Sequence, residues 1–226
     1  MDTFEKLQVI NKELENYDTQ LIAVSKTKSV EEILEVYKEG QRHFGENQVQ
    51  ELNEKHDKLP NDIIWHQIGS LQRNKVKYIA SYIGLIHSVD SLKLLQEINK
   101  QALKAKRIID CLLQIQISDE DTKSGLDYAD TIELLRSEEY KALKNIRIIG
   151  LMGIASNTQN IKIIKEEFHD LKVLFTGLKE SFFENEDSFK ELSMGMSSDY
   201  KIALEEGSTM VRIGSLIFGD RDYSKN

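Results

Sequence analysis

Leu21-Ile22-Ala23-Val24-Ser25-Lys26-Thr27-Lys28 is a short apolar run that ends in a lysine. Leu, Ile, Ala and Val in unbroken succession read as a strand buried on both faces, the pattern of a parallel sheet. A lysine at the carboxyl end of such a strand needs a reason. Burial disfavours the ammonium form and lowers its pKa, which leaves a neutral amine able to attack a carbonyl. Amines of this kind form Schiff bases with carbonyl compounds. On this stretch alone, a lysine leaving a strand end for water is the simpler explanation. The opposite end of the chain changes that balance.

Outward from this strand, runs of strand length recur at 42–44, 63–68, 85–87, 109–117, 146–152, 189–193 and 209–213. Helical stretches lie between them. The clearest is Ile161, Ile164, Phe168, Leu171, Leu174/Phe175 and Leu178, spaced in threes and fours, and another runs Leu94/Leu95, Ile98, Ala102. Parallel neighbours need crossover helices, so the alternation predicts an α/β protein with a (β/α)8 TIM barrel. An open doubly wound sheet is the alternative. Only residues 214–226 follow the last strand, too few for a full eighth helix and more. The leading segment Phe4, Leu7, Ile10, Leu14 has helical spacing and is placed to fill that gap from the front. No internal repeat or linker interrupts the 226 residues, whose only proline is Pro60, so one domain over 1–226 is expected.

Composition narrows the partners. A net charge of −8 without a Lys/Arg-rich tract argues against nucleic acid. No apolar run approaches the roughly 18 residues that cross a bilayer, and no signal core follows Met1, so no membrane role and a cytoplasmic location are expected. Cys111 sits within an apolar run and reads as an inert core thiol. The five histidines, His43, His56, His66, His87 and His169, show no metal-ligand spacing, so no metal is expected. His66 and His87 fall near strand ends and read as core histidines, with a pocket-lining role open. The carboxylate-rich stretch 118–125 lacks EF-hand order and reads as a solvated loop.

Barrel chemistry sits at the carboxyl ends of the strands, often with a phosphate on the loops after strands seven and eight. Here those loops read Ser193-Met194-Gly195-Met196-Ser197-Ser198-Asp199 and Arg212-Ile213-Gly214-Ser215. Ser197 and Ser198 are expected to cap a helix starting near Asp199, and Gly214 and Ser215 to present N–H donors to an anion. An ordinary turn with an N-cap explains either loop singly.

The ordered motifs Ala23-Val24-Ser25-Lys26-Thr27-Lys28, Phe44-Gly45-Glu46-Asn47, Trp65-His66-Gln67-Ile68-Gly69, Leu71-Gln72-Arg73-Asn74-Lys75 and Ile117-Ser118-Asp119-Glu120-Asp121-Thr122-Lys123-Ser124-Gly125 stand out together. Gly150-Leu151-Met152, Leu192-Ser193-Met194-Gly195-Met196-Ser197, Gly207-Ser208-Thr209-Met210-Val211-Arg212-Ile213-Gly214 and Phe218-Gly219 continue the set. On these motifs the chain resembles the pyridoxal phosphate homeostasis protein family over nearly its whole length. Ser29 and Ser70 stand where prolines are common, and Ile154-Ala155-Ser156 is a loose match.

The resemblance implies the barrel of the alanine racemase N-terminal-domain type, with pyridoxal 5'-phosphate as cofactor. It implies that Lys26 holds the cofactor as a Schiff base. The phosphate would lie at Ser197, Ser198, Gly214 and Ser215, Arg212 would face the pyridine nitrogen, Asn47 would lie beside the ring, and Met196 would also belong to the cofactor site. An arginine donates to an unprotonated nitrogen, and an unprotonated ring is a poorer electron sink. The implied role is a monomeric or weakly dimeric carrier serving intracellular vitamin B6 homeostasis, with apo pyridoxal-phosphate enzymes as clients and no catalytic residue. Two enzymatic alternatives remain. An amino-acid racemase or decarboxylase of the related fold needs a second β domain with an acid/base on the opposite face, for which no room is expected after Asn226. A Schiff-base aldolase would explain the lysine and the phosphate loops but not the motif set.

Overall fold

The computed structural model describes residues 2–118 and 124–219. Eight strands, β1 (Gln20–Val24), β2 (His43–Glu46), β3 (Ile64–Gln67), β4 (Leu85–Val89), β5 (Ile109–Ile115), β6 (Ile146–Gly153), β7 (Glu191–Met196) and β8 (Met210–Ile213), close into a parallel barrel in chain order. Closure pairs Leu21 with Val211 and Ile22 with Arg212. Helices α1 (Thr3–Leu14), α2 (Val30–Lys38), α3 (Val49–His56), α4 (Val76–Ile79), α5 (Leu92–Lys104), α6 (Tyr128–Arg136), α7 (Glu138–Lys141), α8 (Ile161–Phe182), α9 (Tyr200–Glu205) and α10 (Ser215–Phe218) surround it. The TIM barrel expected from the alternation is thus the fold.

The helices start where local chemistry tells them to. Asp2 and Glu5 form a reciprocal capping box on α1, and Ser29 and Glu32 form another on α2. The Ser29 hydroxyl accepts the Glu32 N–H and the Glu32 carboxylate accepts the Ser29 N–H, so the two side chains together satisfy two backbone donors. α8 buries Ile164, Phe168, Leu171, Leu174 and Leu178 on one stripe, while Ile161 at its first position lies exposed. α1 buries Leu7, Ile10 and Leu14 and packs against α2, β1 and the short α10. The gap behind β8 is filled from the front, as the leading periodicity predicts.

Alternation along each strand divides the interior in two. Leu21 and Ala23 face the helices with most of the core, whereas Ile22 joins Leu85, Leu112, Met152 and Met210 in a separate buried cluster inside the barrel. The main strand error is at β7, read as 189–193 but observed at Glu191–Met196. Phe189 is apolar because it stacks on Phe183 and Phe175, with centroids 4.1 and 5.0 Å apart, at a turn closed by its N–H to Glu186. β2 similarly starts and ends later than read, since Gly45 and Glu46 are strand residues despite their composition. Cys111 is buried, and its apolar surroundings push the thiol pKa up, in keeping with an inert thiol. Among the described residues no helix is long and apolar enough to cross a membrane.

Candidate functional site

β1 ends at Val24, and Ser25-Lys26-Thr27 turns away from it with Thr27 at a positive φ of 66°. A β-branched residue in that region is strained and persists only where its surroundings impose it. The imposing group is an ion-paired cluster beneath the turn. Lys55 donates from Nζ to the Ser25 carbonyl, Glu46 Oε1 and Glu51 Oε1, each at 2.7 Å. Ser25 Oγ donates to Glu46 Oε1 at 2.6 Å, and the Thr27 N–H donates to Glu51 Oε1. Glu46 is wholly buried with Oε2 unpartnered, and burial raises its pKa to about 7 against the pull of Lys55. Lys26 itself is half-buried, one residue past the fully buried Ser25, so the buried strand-end lysine read from the sequence is displaced onto the following turn.

The turn opens on a cavity of about 580 Å³ at the carboxyl mouth of the barrel. All eight residues singled out from the sequence, Lys26, Asn47, Met196, Ser197, Ser198, Arg212, Gly214 and Ser215, line it. Lys28 lines it too, but its ammonium is engaged by the Phe218 carbonyl at 3.0 Å and Glu32 at 3.4 Å. Asn47 is set by Gln67, whose Nε2 bridges the Asn47 and Gly69 carbonyls at 2.8 and 2.9 Å. A Cβ on Gly69 would stand 2.6 Å from the Asn47 oxygen, so glycine is what permits that close approach.

Arg212 is buried, donating from Nη1 to Ser193 O and Oγ at 2.8 and 2.7 Å and from Nη2 to Gly153 O at 2.9 Å. Desolvation lowers its pKa to about 10, which still leaves it charged at neutral pH. The loops after β7 and β8 differ from the expected capping. α9 starts at Tyr200, but its N-cap is Asp199, which makes no cap bond and instead accepts from the Met196 N–H at 2.6 Å and from Ser198 Oγ at 3.2 Å. Ser197 accepts the Gly214 N–H at 3.2 Å. Neither serine caps, and Gly214 is not a spare donor. The spare donors of that loop come one step later. The first bonds of α10 run from Ile217 and Phe218 to the Gly214 carbonyl, so the Ser215 and Leu216 N–H groups precede its own hydrogen bonding.

A primary amine, a buried guanidinium, backbone donors and hydroxyls thus face one cavity. Such a set can condense with an aldehyde while gripping an anion. Ser70, Gln114, Ser124, Ile154 and Leu216 also line it and were missed. Ser70 and Gln114 follow or end strands, which is the signal that could have found them. Of the carboxylate-rich stretch 118–125, residues 119–123 lie outside the described residues. Among the described residues no group of three or more His, Cys, Asp or Glu is arranged to hold a metal ion.

The family model for the alanine racemase N-terminal domain matches residues 4–222. A pyridoxal phosphate homeostasis protein of Vibrio alginolyticus is 42% identical over 210 residues, covering 91% of this chain and 88% of its own. The chain belongs to the pyridoxal phosphate homeostasis protein family. Solved structures of the kind include PipY of Synechococcus elongatus, 35% identical and covering 96% of this chain and 100% of its own. Without PLP, PipY superposes on this pyridoxal phosphate homeostasis family member with a TM-score of 0.90; with PLP bound, the score is 0.87.

Proposed function

We propose that the protein binds pyridoxal 5'-phosphate at the carboxyl mouth of its barrel, through Lys26, and serves intracellular vitamin B6 homeostasis as a carrier without turnover. The observation that carries this reading is the convergence of Lys26, Arg212 and the α10 donors on a single cavity. The residues fit the group. Gly214 forms part of the cradle, since a Cβ there would meet the Val24 oxygen at 3.1 Å, and the Ser215 and Leu216 N–H groups precede intrahelical bonding.

When bound, pyridoxal phosphate supplies an aldehyde for an amine and a ring that can withdraw electrons. Lys26 offers the amine, on a turn that Lys55 and Glu46 hold from below. Ser215 and Leu216 N–H groups, with the Ser197 hydroxyl, would receive the anion, while the Ser198 hydroxyl, at the cavity wall, gives its proton to Asp199. Arg212 offers only donors, so a ring nitrogen facing it accepts and stays unprotonated. That arrangement weakens electron withdrawal and favours holding over conversion. The clients that fit a carrier are apo forms of pyridoxal-phosphate enzymes, and the barrel is proposed to act as a monomer.

Two or more charge-assisted hydrogen bonds to a phosphate, each of about 1.5–3 kcal/mol, amount to at least about 100-fold in affinity. Titration with pyridoxal phosphate and with pyridoxal is therefore expected to favour the phosphorylated vitamer by that margin. Equal affinities would contradict the placement of the phosphate.

A further inference from the structure

Three imidazoles stand in line inside the barrel. His43 Nδ1 lies 2.9 Å from His66 Nε2, and His66 Nδ1 lies 2.9 Å from His87 Nε2. His87 Nδ1 lies 3.0 Å from Ser193 Oγ, which accepts from Arg212 Nη1 at 2.7 Å. The line starts at a cavity on the amino-terminal mouth, lined by His43 with the first residues of β1, β7 and β8, and ends at the cavity lined by Arg212. His66 and His87 touch neither cavity. Burial holds both neutral, with the His66 pKa down to about 3 and that of His87 well below the ordinary histidine value, held there by burial and by neighbouring His66 and Arg212.

Chemistry allows this line one direction. A guanidinium has donors only, so Ser193 Oγ must accept from it. The serine has one proton to give, and its acceptor is His87 Nδ1. His87 then carries its own proton on Nε2 and donates to His66 Nδ1, and His66 donates from Nε2 to His43 Nδ1. Reversing the line would aim both Arg212 and His87 Nδ1–H at Ser193 Oγ and strand the hydroxyl proton in a site with no exposure.

We infer that Ser193 and His87, backed by His66 and His43, are positioning residues that fix the Arg212 guanidinium for the cofactor's ring through a hydrogen-bonded line of one allowed direction. The ring assignment rests on the proposed function; the direction of the line does not. Nitrogen-15 NMR of histidine-labelled, ligand-free protein at neutral pH reads the line by itself. His66 and His87 are expected as neutral imidazoles protonated on Nε2. A proton on Nδ1 of either, or a charged ring, would overturn the inference.

Titration of Ser193→Ala and Ser193→Thr with pyridoxal phosphate and pyridoxal reads the consequence. Loss of one hydrogen bond to the guanidinium is expected to weaken both ligands about 10-fold in Ser193→Ala, since both carry the ring. The ratio between the two ligands is expected to stay as in the wild type. Threonine keeps the hydroxyl and is expected to restore binding to within about twofold. Unchanged affinity in Ser193→Ala, or a loss confined to the phosphorylated ligand, would overturn the positioning role. Failure of the wild-type protein to bind pyridoxal phosphate would instead overturn the functional reading and leave the tautomer result standing.

Discussion

Lys26→Ala is expected to lose all borohydride-stable cofactor and to bind pyridoxal phosphate on the order of 100-fold more weakly than the wild type. The expectation rests on the place of Lys26 in the cavity wall at the barrel's carboxyl mouth. Lys55 spends its three donors on Ser25, Glu46 and Glu51, and Lys28 is held by the Phe218 carbonyl and Glu32. Lys26 sits between them, half-buried at the cavity wall. Loss of a covalent bond leaves only phosphate and ring contacts, so residual reversible binding should persist. Lys28→Ala should keep full stoichiometry. Peptide mapping after reduction of the wild type decides the point, and label on Lys28 would sink the assignment.

The second large effect is on stability. Lys55→Met strips the counter-charge from a carboxylate with no exposure, for which breaking a buried pair costs about 3–5 kcal/mol. The cost depends on pH. Burial raises Glu46 from the ordinary 4.5 to about 7, and removing Lys55 raises it further. A carboxyl whose folded pKa exceeds its unfolded value contributes stability that is complete below about 4.5 and disappears as pH rises through the folded value. Urea midpoints of Lys55→Met should therefore fall more steeply than those of the wild type between about pH 5 and 8. Glu46→Gln combined with Lys55→Met should recover much of the loss and flatten the slope. A Lys55→Met midpoint unchanged at both ends of that range would contradict the account. Because Lys55 and Glu46 hold Ser25 on one side of Lys26, and Lys55 also holds Glu51, which accepts the Thr27 N–H on the other, weaker cofactor retention should accompany the loss.

The barrel was legible because β1 is an unbroken apolar run from Leu21 to Val24, β5 and β6 are mostly apolar and rich in Ile and Leu, and α8 repeats its apolar residues in threes and fours, patterns tied directly to backbone geometry. β7 was misplaced because Phe189 earns its burial in an aromatic stack rather than in the sheet. The phosphate-side loops were recognisable by glycine and serine, yet their hydrogen bonding was not. Asp199 outcompetes both serines for the turn, a contest between neighbours that composition cannot rank. Least legible were the groups that act across strands. Glu51 and Lys55 show helical spacing, but nothing in the order of residues brings Glu46 to that lysine. The alignment of His43, His66, His87 and Ser193 likewise exists only once barrel register places β2, β3, β4 and β7 around one axis.

The central claim is that this barrel holds pyridoxal phosphate and hands it on without converting amino acids. Holo-protein incubated with the common L-amino acids, with chirality and products followed, and then mixed with an apo-enzyme that needs the cofactor, tests both halves. The account predicts stoichiometric activation of the apo-enzyme and no amino-acid turnover. Sustained racemisation or decarboxylation that disappears in Lys26→Ala would contradict it and make the protein an enzyme.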